Sequence, residues 1–206
     1  MEARVKLILA SSSPRRAQIL RDAGFDFAIQ PASVDESLAP GEAVEAYVAR
    51  IAQAKAHAVA GRALADGTPA IVIAADTVVL AGKQILPKPK DADDARRMLR
   101  LLNATTHEVL TGLFVIRAYD GISFAHLERT RVEFTRISDL DIDAYIQTGE
   151  PFDKAGAYGI QGIGGRFVRG IDGCYFNVMG LPLSRLWEIL RQMRWEDLNT
   201  MIATQK

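Results

Sequence analysis

The sequence is short of several things, and each shortage removes a class of function. Cysteine occurs once, at Cys174, so no intramolecular disulfide can form and a cysteine-based zinc site is disfavoured. The three histidines, His57, His107 and His126, lie far apart and match no metal-ligand spacing. Net charge is absent: 25 Lys plus Arg balance 25 Asp plus Glu. That balance argues against nonspecific nucleic-acid binding, while a local basic pocket remains open. Long apolar runs are also lacking. The opening MEARVKLILASSSPRR is too short in its apolar part for a signal peptide, and nothing approaches the roughly 18 apolar residues of a membrane span. A soluble, cytoplasmic protein is expected. No G-x-G-x-x-G follows a strand and no glycine-rich loop ends in GK[ST], which leaves out the dinucleotide fingerprint and the P-loop.

What is present suits one domain spanning 1–206, of above-average size or divided into two lobes. At 49% apolar and 24% charged residues, it can bury a sizeable core. Leu7, Ile8, Leu9 and Ala10 form a short apolar run, as expected for a strand covered on both faces in a sheet flanked by helices. Ser11, Ser12 and Ser13 supply a polar turn. Ser13 is placed to cap a helix, and Pro14 stands at its first position, where the missing N–H has no intrahelical partner to lose. A strand running into a helix this way aims free N–H groups and the positive end of the helix dipole at one point, which suits an anion. Arg15 and Arg16 add two guanidinium groups there. An ordinary strand-to-helix connection with two solvated arginines would use the same residues.

Farther along, 25–30 alternates as a half-buried strand, and Asp35 and Glu36 stand in a polar loop where acids are commonly just solvated. The spacing predicts a helix over 42–64 with Val44, Val48, Ile51 and Val59 on one stripe. Lys55 falls in that stripe, where a lysine either snorkels or reaches an anion. A buried strand is predicted over 70–75, with Asp76 and Thr77 where it emerges. An acid beyond the end of such a strand is a catalytic candidate, or else stabilises a turn. A hairpin over 78–86 turns near Gly82 and Lys83, and Lys88 follows between two prolines on a stiff segment. Asp91 caps a helix ending near Leu102. Strands over 107–119 and 122–134 join at Asp120–Gly121, and Ser138 with Asp141 fits a capping box. The stretch 149–170, GEPFDKAGAYGIQGIGGRFVRG, holds seven glycines, too many for a helix or regular strand. It is either a flexible surface loop or a backbone brought close to something, and the embedded Asp153, Lys154 and Gln161 favour the second. Pro182 opens a final helix with Leu183, Leu186, Trp187, Leu190 and Met193 at core spacing, and 194–206 reads as a peripheral amphipathic tail.

Together these stretches resemble the Maf family of nucleoside triphosphate pyrophosphatases over about 7–193. The resemblance rests on LASSSPRR at 9–16, VDE at 34–36, Lys55 in its helix, AADTVV at 74–79 and KP at 88–89. It continues through HEVLTG at 107–112, TGEPFDKAGAYGIQG at 148–162 and NVMGLPL at 177–183. No one motif is specific, but their order along the chain is. The form GEPFDKAGAYGIQG is most similar to the subfamily acting on dTTP and UTP rather than on 7-methyl-GTP. The departures are LPKP where LGKP is common, NATTHEV before the histidine, and Cys174 and Phe176 where smaller or polar residues are frequent. Only Pro87 bears on an assigned residue, by restricting the approach of Lys88.

The resemblance implies an α/β fold like that of inosine triphosphate pyrophosphatases, with an elongated mixed central sheet flanked by helices, two lobes around a cleft, and a homodimer. It implies hydrolysis of dTTP and UTP, or modified pyrimidine nucleotides, to nucleoside monophosphate and pyrophosphate, as nucleotide-pool sanitation. Asp76 is then the proton acceptor, with Glu36 and Asp76 the ligands of Mg²⁺ or Mn²⁺, since such hard cations take a few carboxylates beside phosphate and water. Ser11, Ser12, Ser13, Arg15, Arg16, Lys55 and Lys88 would hold the triphosphate. Asp153 and Lys154 would close the cleft. Gln161, with Arg15 and Thr77, would read the base, because an amide complements the N3–H and O4 of a uracil-type ring. Two other readings stand beside this one. One is a nucleotide-binding regulator of septum formation and cell division without essential turnover. The other is a different phosphate-ester hydrolase, such as a phosphosugar enzyme.

Overall fold

The computed structural model describes residues 5–195. The tail expected over 194–206 therefore lies almost wholly outside the described residues. The elements are β1 (Lys6–Leu9), α1 (Pro14–Asp22), β2 (Ala28–Ile29), α2 (Val44–Ala65), β3 (Ala70–Ala81) and β4 (Gln84–Leu86). After these come α3 (Ala92–Leu102), β5 (Thr106–Arg117), β6 (Ser123–Phe134), α4 (Asp139–Gln147), β7 (Val168–Asp172), α5 (Tyr175–Val178) and α6 (Leu183–Gln192). The fold is α/β, with a seven-stranded sheet in the order β2-β1-β3-β5-β6-β7 and β4 paired to β3. The sheet is mixed: β1 is parallel to β2 and β3, whereas β4 is antiparallel to β3 and β7 antiparallel to β6.

The chain divides into two compact units. The first comprises residues up to Asp76, 111–127 and the segment from Gly180; the second comprises 77–110 and 128–179. In the first, a core of small side chains lies between α2 and the strands. Ala52, Ala56, Val59, Ala60 and Ala63 of the helix meet Ile8, Ala70, Val72, Ala74, Phe114 and Ile116. Alanine is the best helix former and keeps little bulk between backbones, so a helix so lined approaches its sheet closely. At Gly112 the approach is closest: a Cβ there would lie 2.4 Å from the Val48 carbonyl oxygen.

In the second unit the core is larger-grained. Met98, Leu99 and Leu102 of α3 and Ile142, Tyr145 and Ile146 of α4 enclose Phe134, Tyr158 and Phe167. Helix starts follow the capping logic of the sequence. Asp91 accepts from the Asp94 N–H at 2.8 Å, and Ser138 and Asp141 form the reciprocal box.

Four expectations are corrected. The strand expected over 25–30 shrinks to Ala28–Ile29, whose residues are exposed. Phe25 instead leans on Trp187, with centroids 6.2 Å apart. Trp187 is correspondingly not a core residue but remains 37% exposed. The strand expected to end at Ala75 runs on to Ala81. Finally, β7 and the short helix α5 fill stretches in which no element was expected, and β7 gains its place by pairing with β6 rather than by any alternation of its own.

Candidate active site

β1 leads into the serine turn and α1 as the sequence predicts. The Ser13 hydroxyl accepts from the Arg16 N–H at the helix start, and Pro14 takes the first position. The Ser11 hydroxyl accepts from the Ser13 N–H at 3.2 Å and from Arg16 Nη1 at 3.1 Å. Arg16 also donates through Nε to the Gly180 carbonyl at 2.7 Å. It is therefore a buried brace for the turn, not one of two solvated arginines. Burial lowers its pKa from the ordinary value, and the carboxylate of Asp76 pulls the other way. Arg15 is half-buried, Ser12 exposed and Ser13 half-buried, so these are the side chains the turn presents to solvent.

Asp76 stands in the middle of β3, not beyond its end. Side chains along a strand alternate, so Asp76 continues the row of Ala70, Val72 and Ala74 that faces α2. Lys55 sits one turn from Ile51 and from Val59 on the buried side of α2. Where the alanine-lined contact ends, Lys55 meets Asp76, Nζ to Oδ1 at 2.8 Å, with both residues 8% exposed. The same Nζ lies 2.8 Å from Glu36 Oε1. Lys55 thus reaches anions rather than snorkelling. Glu36 is brought in by its loop, which α2 fastens: the Tyr47 hydroxyl donates to the Glu36 carbonyl at 2.9 Å, and Arg50 to that of Ser37 at 3.0 Å. Arg50 also pairs with Glu42 and holds that carboxyl down at about 2. These two anchors, invisible in the sequence, convert a polar loop into a fixed one.

Among the described residues no group of three or more His, Cys, Asp and Glu is arranged to hold a metal, so a cage made wholly of protein is absent there. Two carboxylate oxygens converging on one cation, here the Lys55 ammonium, do fit a hard divalent ion that completes its shell with phosphate oxygens and water. Glu36 and Asp76 are the residues that would hold it.

The remaining predicted residues lie in the second unit. Thr77 is half-buried beside Asp76 along β3, Lys88 is exposed in the coil after β4, and Gln161 is exposed in the glycine-rich stretch. The Pro87 carbonyl accepts from the Gly156 N–H at 3.1 Å, so the proline departure before Lys88 is fastened to that stretch. Lys154 turns back on its own loop, 2.6 Å from Asp153 Oδ1 and from the Glu150 carbonyl. A depression of about 460 Å³ on α3 is lined by Asp93, Arg96, Arg97, Arg100 and Leu101, none of them a predicted site residue. Its arginines are already neutralised: Arg96 by Asp93 and Asp143, Arg97 by Asp94, Arg100 by Asp139.

Sequence reasoning gave no role to Glu150, Tyr145 or His107. Glu150 accepts from the Tyr145 hydroxyl and from the N–H groups of Ile163 and Gly164. Its only signal was its place at the head of the glycine-rich stretch. His107 is buried, its Nε2 2.8 Å from the Tyr158 hydroxyl and its Nδ1 without a hydrogen-bond partner. No helix among the described residues is long and apolar enough to cross a membrane.

Over residues 6–193 the chain matches the family model described as Maf-like protein. It is 47% identical over 198 residues to a dTTP/UTP pyrophosphatase of Anaeromyxobacter dehalogenans (strain 2CP-C), covering 93% of this chain and 98% of that one. A dTTP/UTP pyrophosphatase of Koribacter versatilis is 48% identical over 186 residues, 90% of this chain and 93% of that one. One of Clostridium perfringens (strain ATCC 13124) is 45% identical over 187 residues, 90% and 96% of the two chains. Among solved structures, a nucleoside-triphosphatase / dITP/XTP pyrophosphatase from Mycobacterium abscessus overlaps 92% of this chain and 98% of its own, with a TM-score of 0.40 and 14% identity. With the family model spanning nearly all of it, this chain belongs to the Maf family.

Proposed function

We propose that the protein hydrolyses dTTP and UTP between the α and β phosphates, releasing the nucleoside monophosphate and pyrophosphate, and so clears these or modified pyrimidine nucleotides from the pool. The observation that carries the reading is the buried Asp76–Lys55 pair, joined by the exposed carboxylate of Glu36; the two acids act on Arg16 of the serine turn. The names of relatives 45–48% identical over nine-tenths of the chain support the choice of substrate. Attack on the α phosphorus needs a water whose proton is taken as the bond forms. Asp76, a carboxylate on a rigid strand, is the acceptor. Lys55, 2.8 Å from it, keeps that carboxylate aimed, and on substrate binding its ammonium offsets charge on the phosphates. Arg15, Lys88 and the turn of Ser12 and Ser13 serve the departing pyrophosphate, the main electrostatic task in phosphoryl-type chemistry. A divalent Mg²⁺ or Mn²⁺ held by Glu36 and Asp76 would supply further charge neutralisation on the phosphate oxygens. Gln161, with Arg15 and Thr77, selects the base, because a polar site matched to the uracil edge leaves its groups unpaired against other bases.

The same reading has a homodimer working in the cytoplasm on a small nucleotide, with no nucleic-acid partner; the balanced charge supports the last point. A regulator that only binds nucleotide has no use for an acid placed to accept a proton. The test is product identification on a panel of standard and modified triphosphates, with and without divalent metal. Pyrophosphate and monophosphate from dTTP and UTP are expected. Inorganic phosphate with a diphosphate product puts the cut at the wrong bond, and binding without turnover gives the regulator reading instead.

A further inference from the structure

We propose that Glu150 is a positioning residue for base selection, its carboxylate fixing the backbone of 159–164 so that Gln161 is presented in one conformation. This rests on Gln161 as the base-reading side chain. Glu150 Oε1 accepts from the Tyr145 hydroxyl at 3.0 Å and from the Gly164 N–H at 3.1 Å, and Oε2 accepts from the Ile163 N–H at 2.9 Å. The Tyr145 oxygen in turn accepts from the Gly159 N–H at 3.3 Å. One carboxylate–phenol pair therefore grips the stretch on both sides of Gln161. The grip has a firm base, since Tyr145 is 1% exposed on α4 and its ring meets that of Phe167 edge-on at 5.1 Å.

The glycines follow from this arrangement. Gly162 has φ +82°, and a Cβ there would sit 2.8 Å from Glu150 Oε2. A Cβ on Gly164 would sit 2.6 Å from the Tyr145 oxygen and 2.8 Å from the Gly159 carbonyl. The backbone that the sequence marks as coming close to something comes close to this carboxylate. Burial works against the charge on Glu150, but the Ile163 and Gly164 N–H groups, the Tyr145 hydroxyl and Lys154 outweigh it and leave the carboxyl below its ordinary range. Glu150 is thus an anion held by its own loop, and the charge makes each bond to it stronger than a neutral one. Gln161 itself stays exposed between the anchored ends. A side chain that must present both a donor and an acceptor to a ring edge gains from a fixed backbone, because less freedom is lost on binding.

The experiment compares kcat and KM for dTTP, UTP and CTP in the full chain and in Gln161→Ala, Glu150→Gln, Tyr145→Phe and the double variant Glu150→Gln/Gln161→Ala. Glu150→Gln keeps the shape but sets an NH₂ against a backbone N–H. It is expected to lower the dTTP-over-CTP ratio of kcat/KM by about tenfold, carried by KM, and Tyr145→Phe by about threefold. In the double variant the ratio should match that of Gln161→Ala alone, the signature of one residue acting through the other. Loss of the ratio in Gln161→Ala but not in Glu150→Gln overturns this proposal alone, as do losses that multiply in the double variant. An unchanged ratio in Gln161→Ala overturns the base-reading assignment and this proposal with it. If Glu150→Gln does not fold, Tyr145→Phe, lacking one hydroxyl, decides: an unchanged ratio overturns the proposal and a lowered one supports it.

Discussion

Around α2 the first unit is lined with alanine, and around α4 the second is filled with rings. Small residues let a helix and a sheet come together until their backbones nearly touch, as at Gly112 and Val48. A lysine of fixed reach on that helix then meets an aspartate on the facing strand without a loop in between. The lysine–aspartate distance of the first unit is in this way set by regular elements, whose geometry is stiff. Large rings cannot bring backbones together in this way. In the second unit the irregular stretch sends Tyr158 and Phe167 into that core, and between them polar bonds to Tyr145 and Glu150 hold its backbone. Positions fixed by packing and positions fixed by hydrogen bonds fail differently, and the substitutions below separate the two.

The largest effect is expected at Asp76. Asp76→Asn keeps the volume and one oxygen for Lys55, and Glu36 still compensates the ammonium, so the fold should survive. The amide cannot take a proton from water. kcat should fall by ~10²–10⁴-fold with nucleotide binding largely kept. Calorimetric binding beside single-turnover kinetics checks this; a variant with more than about a tenth of wild-type kcat removes Asp76 from the base role.

How much of this could be read from the sequence differs between the two units for the same reason that their cores differ. Lys55 was legible because helical spacing put it among Ile51 and Val59, and α1, α3 and α4 were legible because their caps are local. Asp76 was singled out as a candidate but misplaced: AIVIAA looks like a complete strand, and a charged residue normally ends one. Here β4 pairs with Val79, Leu80 and Ala81 and carries β3 past the acid. Glu36 owes its position to Tyr47 and Arg50, eleven and fourteen positions on, a relation no local pattern encodes. Glu150 and Tyr145 were least legible of all, since each looks ordinary until the glycine-rich stretch is folded over them.

Next in size is a test of the close approach itself. Gly112→Ala places a methyl group 2.4 Å from the Val48 carbonyl oxygen and 2.9 Å from the Ala49 nitrogen, both backbone atoms that cannot rotate away. The helix must shift outward, at a cost of about 3 kcal/mol by the usual penalty for overpacking. The displacement should also draw Lys55 from Asp76, so activity at a temperature where the variant remains folded should drop with stability. Urea unfolding together with dTTP turnover measures both. A variant as stable as the parent would show that α2 is free to slide, and the alanine core would lose its role in setting the lysine–aspartate distance.

The smallest effect concerns the ring-filled core, where a titrating group is enclosed. Burial among Phe134 and Tyr158 lowers the His107 pKa to about 4, so the ring is neutral in the folded protein at neutral pH. Unfolded, it titrates near 6.5. Between those values the unfolded chain binds a proton that the folded one refuses, so stability is intact above the higher value and is lost as pH falls toward the lower. From pH 7 to pH 5 the loss from this group should be about 2 kcal/mol. His107→Gln removes the titration while offering the Tyr158 hydroxyl a partner. Urea unfolding at the two pH values should then show a smaller acid loss in the variant than in the parent, though the variant is less stable at pH 7 for want of the ring contacts. Equal acid losses in both would mean that the imidazole is already hydrated in the folded state, and the aromatic core of the second unit would be looser than the alanine core of the first.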